Sequence, residues 1–297
     1  MIICIEGPTA AGKSACAIQL ALALDTEIIS ADSRQVFRHL DIGTAKVSKE
    51  EQAQVKHHLI DIIEPEESYN AGRFVKDASG IIQGLQDAGK IPIICGGTGL
   101  YIRSLLEGLF EHPIIPTSIR ERLKEELRER GLAALYQELQ ELDPDFATRI
   151  SNSDSQRILR GLEIYRVTGK NISAHWAEQS KTSRYQALRI LITRERAELY
   201  SAINQRINTM LSQGWMAEIE GLLAQGYAWD TPGLKTMGYK EFRPYYEGRD
   251  SLENCAALAA QHHRNYAKRQ FTWYRKINFN LTYSPKCFKL SEILRFL

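Results

Sequence analysis

The chain has 297 residues, 43% hydrophobic and 25% charged, with a formal net charge of +2; that is enough for one large or two modest domains with real cores, and it excludes a disordered or low-complexity chain. No run approaches the roughly 18 apolar residues of a membrane span, and the first apolar stretch is too short for a secretory leader, so a cytoplasmic protein with no membrane attachment is expected. Five cysteines, at 4, 16, 95, 255 and 287, lie scattered with no C-x-x-C pair, which speaks against disulfides or a zinc site and for reduced thiols.

In chain order, Ile2 to Ile5 reads as a buried strand that leads straight into Gly7-Pro8-Thr9-Ala10-Ala11-Gly12-Lys13-Ser14. This segment fits G-x-x-x-x-G-K-[ST], and it sits as the pattern requires, after a strand and before an Ala-rich helix starting at Lys13. Its glycines let the backbone bend tightly, so that amides point inward at phosphate oxygens while the helix aims its positive dipole end at the same place. Lys13 adds a mobile charge, and the Ser14 hydroxyl suits a magnesium ion bridging phosphate oxygens. A bound polyphosphate is the expectation.

A second strand, Glu27 to Ser30, runs into Ala31-Asp32-Ser33-Arg34-Gln35 and brings Asp32 to the same edge of the sheet. A carboxylate there either accepts a proton or caps a helix, and Asp suits both tasks. His58 to Ile62 and Ile91 to Cys95 read as further strands, with helices from Gly72 and Gly99. Adjacent His57 and His58 would face opposite ways on a strand, which disfavours a shared metal. In a motor or switch ATPase a later strand ends in an acid that holds magnesium. Here Ile91 to Ile94 runs instead into Cys95-Gly96-Gly97-Thr98-Gly99, either a turn that brings the Thr98 hydroxyl beside the phosphates or a simple packing turn. The expected class is α/β, a P-loop NTPase-like core with a parallel sheet flanked by helices.

From Pro113 the pattern turns helical and charged, with amphipathic stretches at Thr117 to Arg130, Leu132 to Leu142 and Asp154 to Thr168. We read 1–112 as the first part of the core, 113–187 as an inserted all-helical subdomain and 188–297 as completion of the core. A short strand, Leu188 to Thr193, precedes helices at Ala197 to Ser212, Trp215 to Ala224 and Ser251 to Lys276. Between Arg149 and Arg189 eight Lys or Arg stand against three acids. Between Glu253 and Glu292 seven Lys or Arg and no acid are interleaved with Tyr266, Phe271, Trp273 and Tyr274. Such stretches suit an RNA surface that grips phosphates and stacks on unpaired bases, or equally a solvated helix face over its own core aromatics.

Six blocks in order carry a family resemblance: Gly7 to Ser14, Asp32-Ser33-Arg34-Gln35-Val36-Phe37, Asp41-Ile42-Gly43-Thr44-Ala45-Lys46, His57-His58-Leu59-Ile60-Asp61, Gly96-Gly97-Thr98-Gly99-Leu100-Tyr101 and Met237-Gly238-Tyr239-Lys240-Glu241. With the closing Gln270-Phe271-Thr272-Trp273-Tyr274-Arg275, the chain resembles the bacterial tRNA dimethylallyltransferases, also called tRNA isopentenyltransferases, along nearly its whole length. Ser155, Lys56 and Val47 stand where that family commonly has proline, and Ala202 where an arginine is frequent.

The resemblance implies transfer of the dimethylallyl group of dimethylallyl diphosphate to the exocyclic N6 of adenosine 37, beside the tRNA anticodon, with release of diphosphate. Gly7, Pro8, Thr9, Ala10, Ala11, Gly12, Lys13 and Ser14 would then hold the leaving group with Mg2+, Ser14 reaching the ion directly or through water. By carry-over, the catalytic candidates are Asp32, which helps the poor N6 nucleophile, Thr98 at the reacting centre and Arg206 on the diphosphate. The resemblance assigns tRNA contact to Asp32, Ser33, Arg34, Gln35, Thr98, Arg120, Gln156, Arg157, Ile158, Leu159, Arg160, Lys235, Gly238, Tyr239 and Lys240. The implied partners are the anticodon stem-loop and the prenyl diphosphate, with the protein a monomer. Alternatives are an adenylate isopentenyltransferase acting on free adenine nucleotides, a P-loop small-molecule kinase and a non-catalytic RNA-binding module; the basic insert argues against the first.

Overall fold

A computed structural model of the chain describes residues 1–108, 115–178 and 183–297. The chain divides into two compact units, one formed by Met1–Gly108 with Ser183–Leu297 and the other by Leu109–Thr182. The boundary expected at 112/113 lies outside the described residues. The second division falls a few residues before the expected 187/188, because Ser183 and Arg184 already bond to the Leu106 carbonyl, at 3.4 and 2.8 Å.

The first unit is built on six parallel strands, β1 (Ile2–Glu6), β2 (Ile28–Ser30), β3 (His57–His58), β4 (Ile93–Gly96), β5 (Ala187–Ile192) and β6 (Leu281–Tyr283), in the order β3-β2-β4-β1-β5-β6. β1 and β4 are buried at every position, the continuous apolar run of a parallel strand covered on both faces. The helices of this unit are α1 (Lys13–Ala23), α2 (Lys49–Gln54), α3 (Ala71–Asp87) and α4 (Gly99–Glu107) in its first part. Its second part carries α9 (Arg196–Ser212), α10 (Trp215–Ala224), α11 (Arg243–Tyr246), α12 (Leu252–Tyr274) and α13 (Leu290–Ile293). From neighbouring β1 and β4 the chain departs to opposite sides, β1 toward β2 and β4 toward β5. In open α/β sheets the crevice at such a point, beyond the carboxyl ends of the strands, is where ligands bind.

Several elements differ from the expected ones. The strand expected over His58 to Ile62 is two residues long, because Leu59 (φ 61°) and Asp61 (φ 56°) adopt left-handed backbone that no strand continues through. β6 was not expected, and α2 was missed although Ser48 and Glu51 form a reciprocal capping box.

The second unit holds α5 (Thr117–Leu142), α6 (Pro144–Ala147), α7 (Ser155–Thr168) and α8 (Ile172–Glu178). Gly131, at φ 75° and ψ 163°, breaks α5 between the two stretches read as separate helices. The Asp154 carboxylate caps α7 by accepting from the Arg157 amide at 3.1 Å. Leu123, Leu135, Leu139, Ile158, Leu162 and Ile164 form this unit's core, and Gly161 lets Leu139 pack against the α7 backbone.

The two basic stretches are in part structural. Arg189 forms a two-pronged pair with fully buried Glu6, at 2.8 and 2.9 Å, and Arg166 is held between Glu126 and Glu138. Tyr274 is buried and Phe271 packs on the sheet core, so neither is an open stacking platform. Among the described residues no helix is long and apolar enough to cross a membrane. Cys4, Cys16, Cys95 and Cys255 are buried free thiols, and Cys287 is exposed.

Candidate active site

The phosphate segment forms the loop from β1 into α1. Gly7 packs so closely on β5 that a Cβ would lie 2.0 Å from the Ile192 carbonyl oxygen. Gly12, at φ 95°, starts the helix in left-handed conformation and no side chain caps it, so the first amides of α1 are donors without intrahelical partners. Thr9 is held from two sides: its amide donates to Gln270 Oε1 at 2.9 Å, and its hydroxyl accepts from Arg206 Nη1 at 3.3 Å. Lys13 Nζ donates to the Pro8 carbonyl at 2.8 Å.

The charges around this loop influence each other. Burial pulls the Lys13 ammonium below its usual range, Arg206 adds to that effect, and the Asp32 carboxylate opposes it. Burial likewise lowers Arg206, with Asp32 again the opposing charge. Two half-buried cations and one carboxylate thus face a common space, a surplus of positive charge suited to an anion.

The second loop, after β2, holds Asp32. Its Oδ1 accepts from the Arg34 amide at 2.8 Å and the Gln35 amide at 3.4 Å, so Asp32 does serve as a backbone cap while remaining at the cavity wall. The third loop, after β4, is the glycine turn. Gly96 meets the Ala31 backbone where a Cβ would lie 2.1 Å from its oxygen, and the Thr98 hydroxyl accepts from the Ser33 amide at 3.1 Å. The turn therefore packs tightly and also brings Thr98 to the Asp32 loop.

A cavity of about 660 Å³ opens between these loops, lined among others by Lys13, Asp32, Gln35, Lys46, Arg206 and Tyr266. Burial, with the Asp32 charge behind it, pushes the Tyr266 phenol up to about 12. The Asp41–Lys46 wall is fixed by Glu218, which accepts from the amides of Asp41, Ile42 and Gly43 at 2.8, 2.7 and 3.2 Å and from the Tyr239 hydroxyl at 2.6 Å. Lys46 closes the same loop on the Phe37 carbonyl at 2.9 Å and pairs with Asp41 and Asp61.

The structure brings together residues 7–14, Asp32 to Gln35, Thr98 and Arg206. Arg120, Gln156, Arg157, Leu159 and Arg160 belong to the second unit, where Arg157 lies 3.4 Å from Asp154 and Arg160 bonds Glu163 at 3.0 Å. Ile158 and Tyr239 are wholly buried, and their side chains fill cores. Buried Gly238 gives its amide to Glu241 at 2.6 Å, whereas Lys235 and Lys240 are exposed. His57 bonds the Val55 carbonyl and His58 bonds Glu27, at 2.8 and 2.5 Å; among the described residues no group of His, Cys, Asp and Glu gathers around a metal site.

Gln270 and Glu218 had no role in the sequence reading, and Tyr266 figured there only among the aromatics of the second basic stretch. Gln270 had a signal, its place in the Gln270–Arg275 block, but its function depends on a contact 261 positions away.

The fold and this site define an α/β protein whose glycine-rich loop opens, with Lys13 and Arg206, onto a cation-rich cavity. The family model described as IPP transferase matches residues 35–277, and the one described as isopentenyl transferase matches residues 1–64. A tRNA dimethylallyltransferase of Desulfotalea psychrophila is 46% identical over 276 residues, covering 93% of this chain and 88% of that protein. The crystal structure of a tRNA delta(2)-isopentenylpyrophosphate transferase from Staphylococcus epidermidis aligns with TM-score 0.72 at 38% identity, over 99% of this chain and 98% of that one. A eukaryotic dimethylallyltransferase acting on tRNA aligns with TM-score 0.81 at 29% identity, over 94% and 73%. The chain belongs to the IPP transferase family.

Proposed function

We propose that this chain transfers the dimethylallyl group of dimethylallyl diphosphate to N6 of adenosine 37, beside the anticodon of tRNA. The observation that carries this reading is the convergence on one cavity of an uncapped phosphate loop with Lys13 and Arg206 and of the Asp32 carboxylate, with the Thr98 hydroxyl bonded to the Asp32 loop through the Ser33 amide.

The uncapped amides, Lys13 and Arg206 bind the diphosphate and stabilise the charge that grows on it as it leaves. The N6 lone pair attacks carbon 1 of the donor, the bond from that carbon to the diphosphate oxygen breaks, and diphosphate departs with the electron pair. The N6 proton passes to the Asp32 carboxylate, which the Arg34 and Gln35 amides hold in place. Thr98, fixed by the Ser33 amide, contacts the reacting centre. Magnesium fits this site: Ser14 is exposed at the helix start, and a small hard cation needs few protein oxygens when phosphates and waters complete its shell. When bound, the ion neutralises diphosphate charge.

The target base leaves its loop stack to enter the cavity, at a cost of a few kcal/mol that phosphate contacts offset. Arg34, Lys235 and Lys240, exposed in the first unit, and Arg120 and Arg157, exposed in the second, supply cations for those contacts on the anticodon stem-loop, joined by half-buried Arg160. The protein acts as a cytoplasmic monomer in this reading. The test is incubation with labelled dimethylallyl diphosphate, magnesium and unmodified tRNA, followed by digestion to nucleosides. N6-isopentenyladenosine from tRNA supports the proposal; label on AMP with none on tRNA refutes it.

A further inference from the structure

The transfer chemistry leaves Gln270 without a role, yet this side chain on α12 is 6% exposed and both ends of its amide are engaged. Oε1 accepts from the Thr9 amide at 2.9 Å, and Nε2 donates to the Gly97 carbonyl at 2.8 Å. One turn further along α12, the Tyr274 hydroxyl lies 3.2 Å from the Gly7 carbonyl and 3.4 Å from that of Gly97. Gly97 accommodates this arrangement because a Cβ there would lie 2.8 Å from Gln270 Nε2.

These two carbonyls and one amide belong to the loops after β1 and β4. From Thr9 the bonds continue through its hydroxyl to Arg206, on the diphosphate side. From Gly97 the chain passes to Thr98, whose amide donates to Ala31 at 3.2 Å and whose hydroxyl accepts from Ser33, neighbours of Asp32 on the acceptor side. Gln270 therefore stands at a junction between the leaving-group cradle and the groups that handle the nucleophile. Its chemistry is specific: the junction needs one acceptor and one donor on a single planar group, which Gln provides, whereas Glu lacks the donor and Met lacks both. The Thr9 amide, committed to Gln270, is also withdrawn from the donors available to phosphate.

We infer that Gln270 is a positioning residue that fixes the separation between the diphosphate cradle and the Thr98–Asp32 loops. The inference rests on the transfer reading. In-line displacement requires both reacting groups at near-contact distance, and a displacement of about 1 Å costs on the order of 100-fold in rate.

The test uses the full chain with dimethylallyl diphosphate and an anticodon stem-loop, comparing Gln270→Met, Gln270→Glu, Thr98→Val and the doubles with Thr98→Val. The expected result for both Gln270 variants is a kcat lower by about 100-fold with the donor KM within about threefold. Each double variant should be little slower than Thr98→Val alone, because both changes break one linkage. Additive losses in kcat, or an unchanged kcat with a lower melting temperature, would reduce Gln270 to a core residue and overturn the inference. If Gln270→Met does not fold, Tyr274→Phe, which removes one hydroxyl from the same junction, is put through the same cycle and decides the matter. Absence of product from the wild-type chain would instead sink the transfer reading itself.

Discussion

Replacing Asp32 by Asn separates its two tasks. The carboxylate caps its own turn through Oδ1, which accepts from Arg34 and Gln35 at 2.8 and 3.4 Å, and an Asn carbonyl accepts the same two bonds. What Asn lacks is the capacity to take the N6 proton. General-base assistance contributes about 10²- to 10⁴-fold, equal to about 3 to 5 kcal/mol of barrier, whereas the conserved turn should hold stability within about 1 kcal/mol of wild type. Asp32→Ala loses the turn as well and should be both slow and less stable. A second consequence follows from Lys13, which burial pulls down while the Asp32 charge holds it up. Without that charge its proton is lost at lower pH, so donor binding in Asp32→Asn should weaken earlier on the alkaline side. Single-turnover quenching with labelled donor and a saturating anticodon stem-loop measures the step. An Asn variant that transfers at the wild-type rate, or one whose loss matches only its unfolded fraction, would refute the assignment.

Three further outcomes are expected. Burial, with Arg206 behind it, lowers His263 from 6.5 to about 4, so the unfolded chain binds the extra proton between those values; stability is complete above about pH 6.5 and falls as pH drops. From pH 7 to pH 5 the loss from this group should be about 2 kcal/mol in urea unfolding, and His263→Gln should flatten that slope. Glu6→Gln leaves Arg189, 17% exposed at its side chain, without its counter-charge and should cost about 3 to 5 kcal/mol; a melting curve that does not move would show the pair to be dispensable. Arg157→Ala combined with Arg160→Ala should reduce the slope of log affinity against log salt by about one unit per lost phosphate contact in tRNA titrations, and an unaltered slope would place the RNA surface elsewhere.

Much of this architecture could be read locally. The run Ile2 to Ile5 into Gly7–Ser14 specifies strand, loop and helix within a dozen positions, because glycine conformation and helix polarity are local properties. The breaks at Gly131 and before Asp154 were visible for the same reason. What failed was non-local. Leu59 and Asp61 take left-handed backbone under tertiary constraint, which shortened the expected third strand. β6 has only three residues, supported by Asn280 bonding to Arg189 at 2.8 Å, a partner 91 positions away. Charge counting treated Arg166 and Arg189 as surface cations, because nothing in their neighbourhoods announces that Glu126, Glu138 and Glu6 will claim them. The aromatic residues of α12 were ambiguous for the same reason: Tyr274 turned inward to brace two loops while Tyr266 faces the cavity.

The amide-lined loop at Gly7–Ser14 should clasp the diphosphate of a prenyl donor rather than the phosphates of ATP. Calorimetric titration with magnesium present tests it most directly, comparing dimethylallyl diphosphate with ATP on the wild-type chain and on Lys13→Ala. The expected result is saturable binding of the prenyl diphosphate, weakened about 10- to 100-fold by loss of one charge-assisted bond in Lys13→Ala, with ATP binding much more weakly than the donor. Tight ATP binding and no heat from dimethylallyl diphosphate, or donor binding indifferent to Lys13, would contradict it.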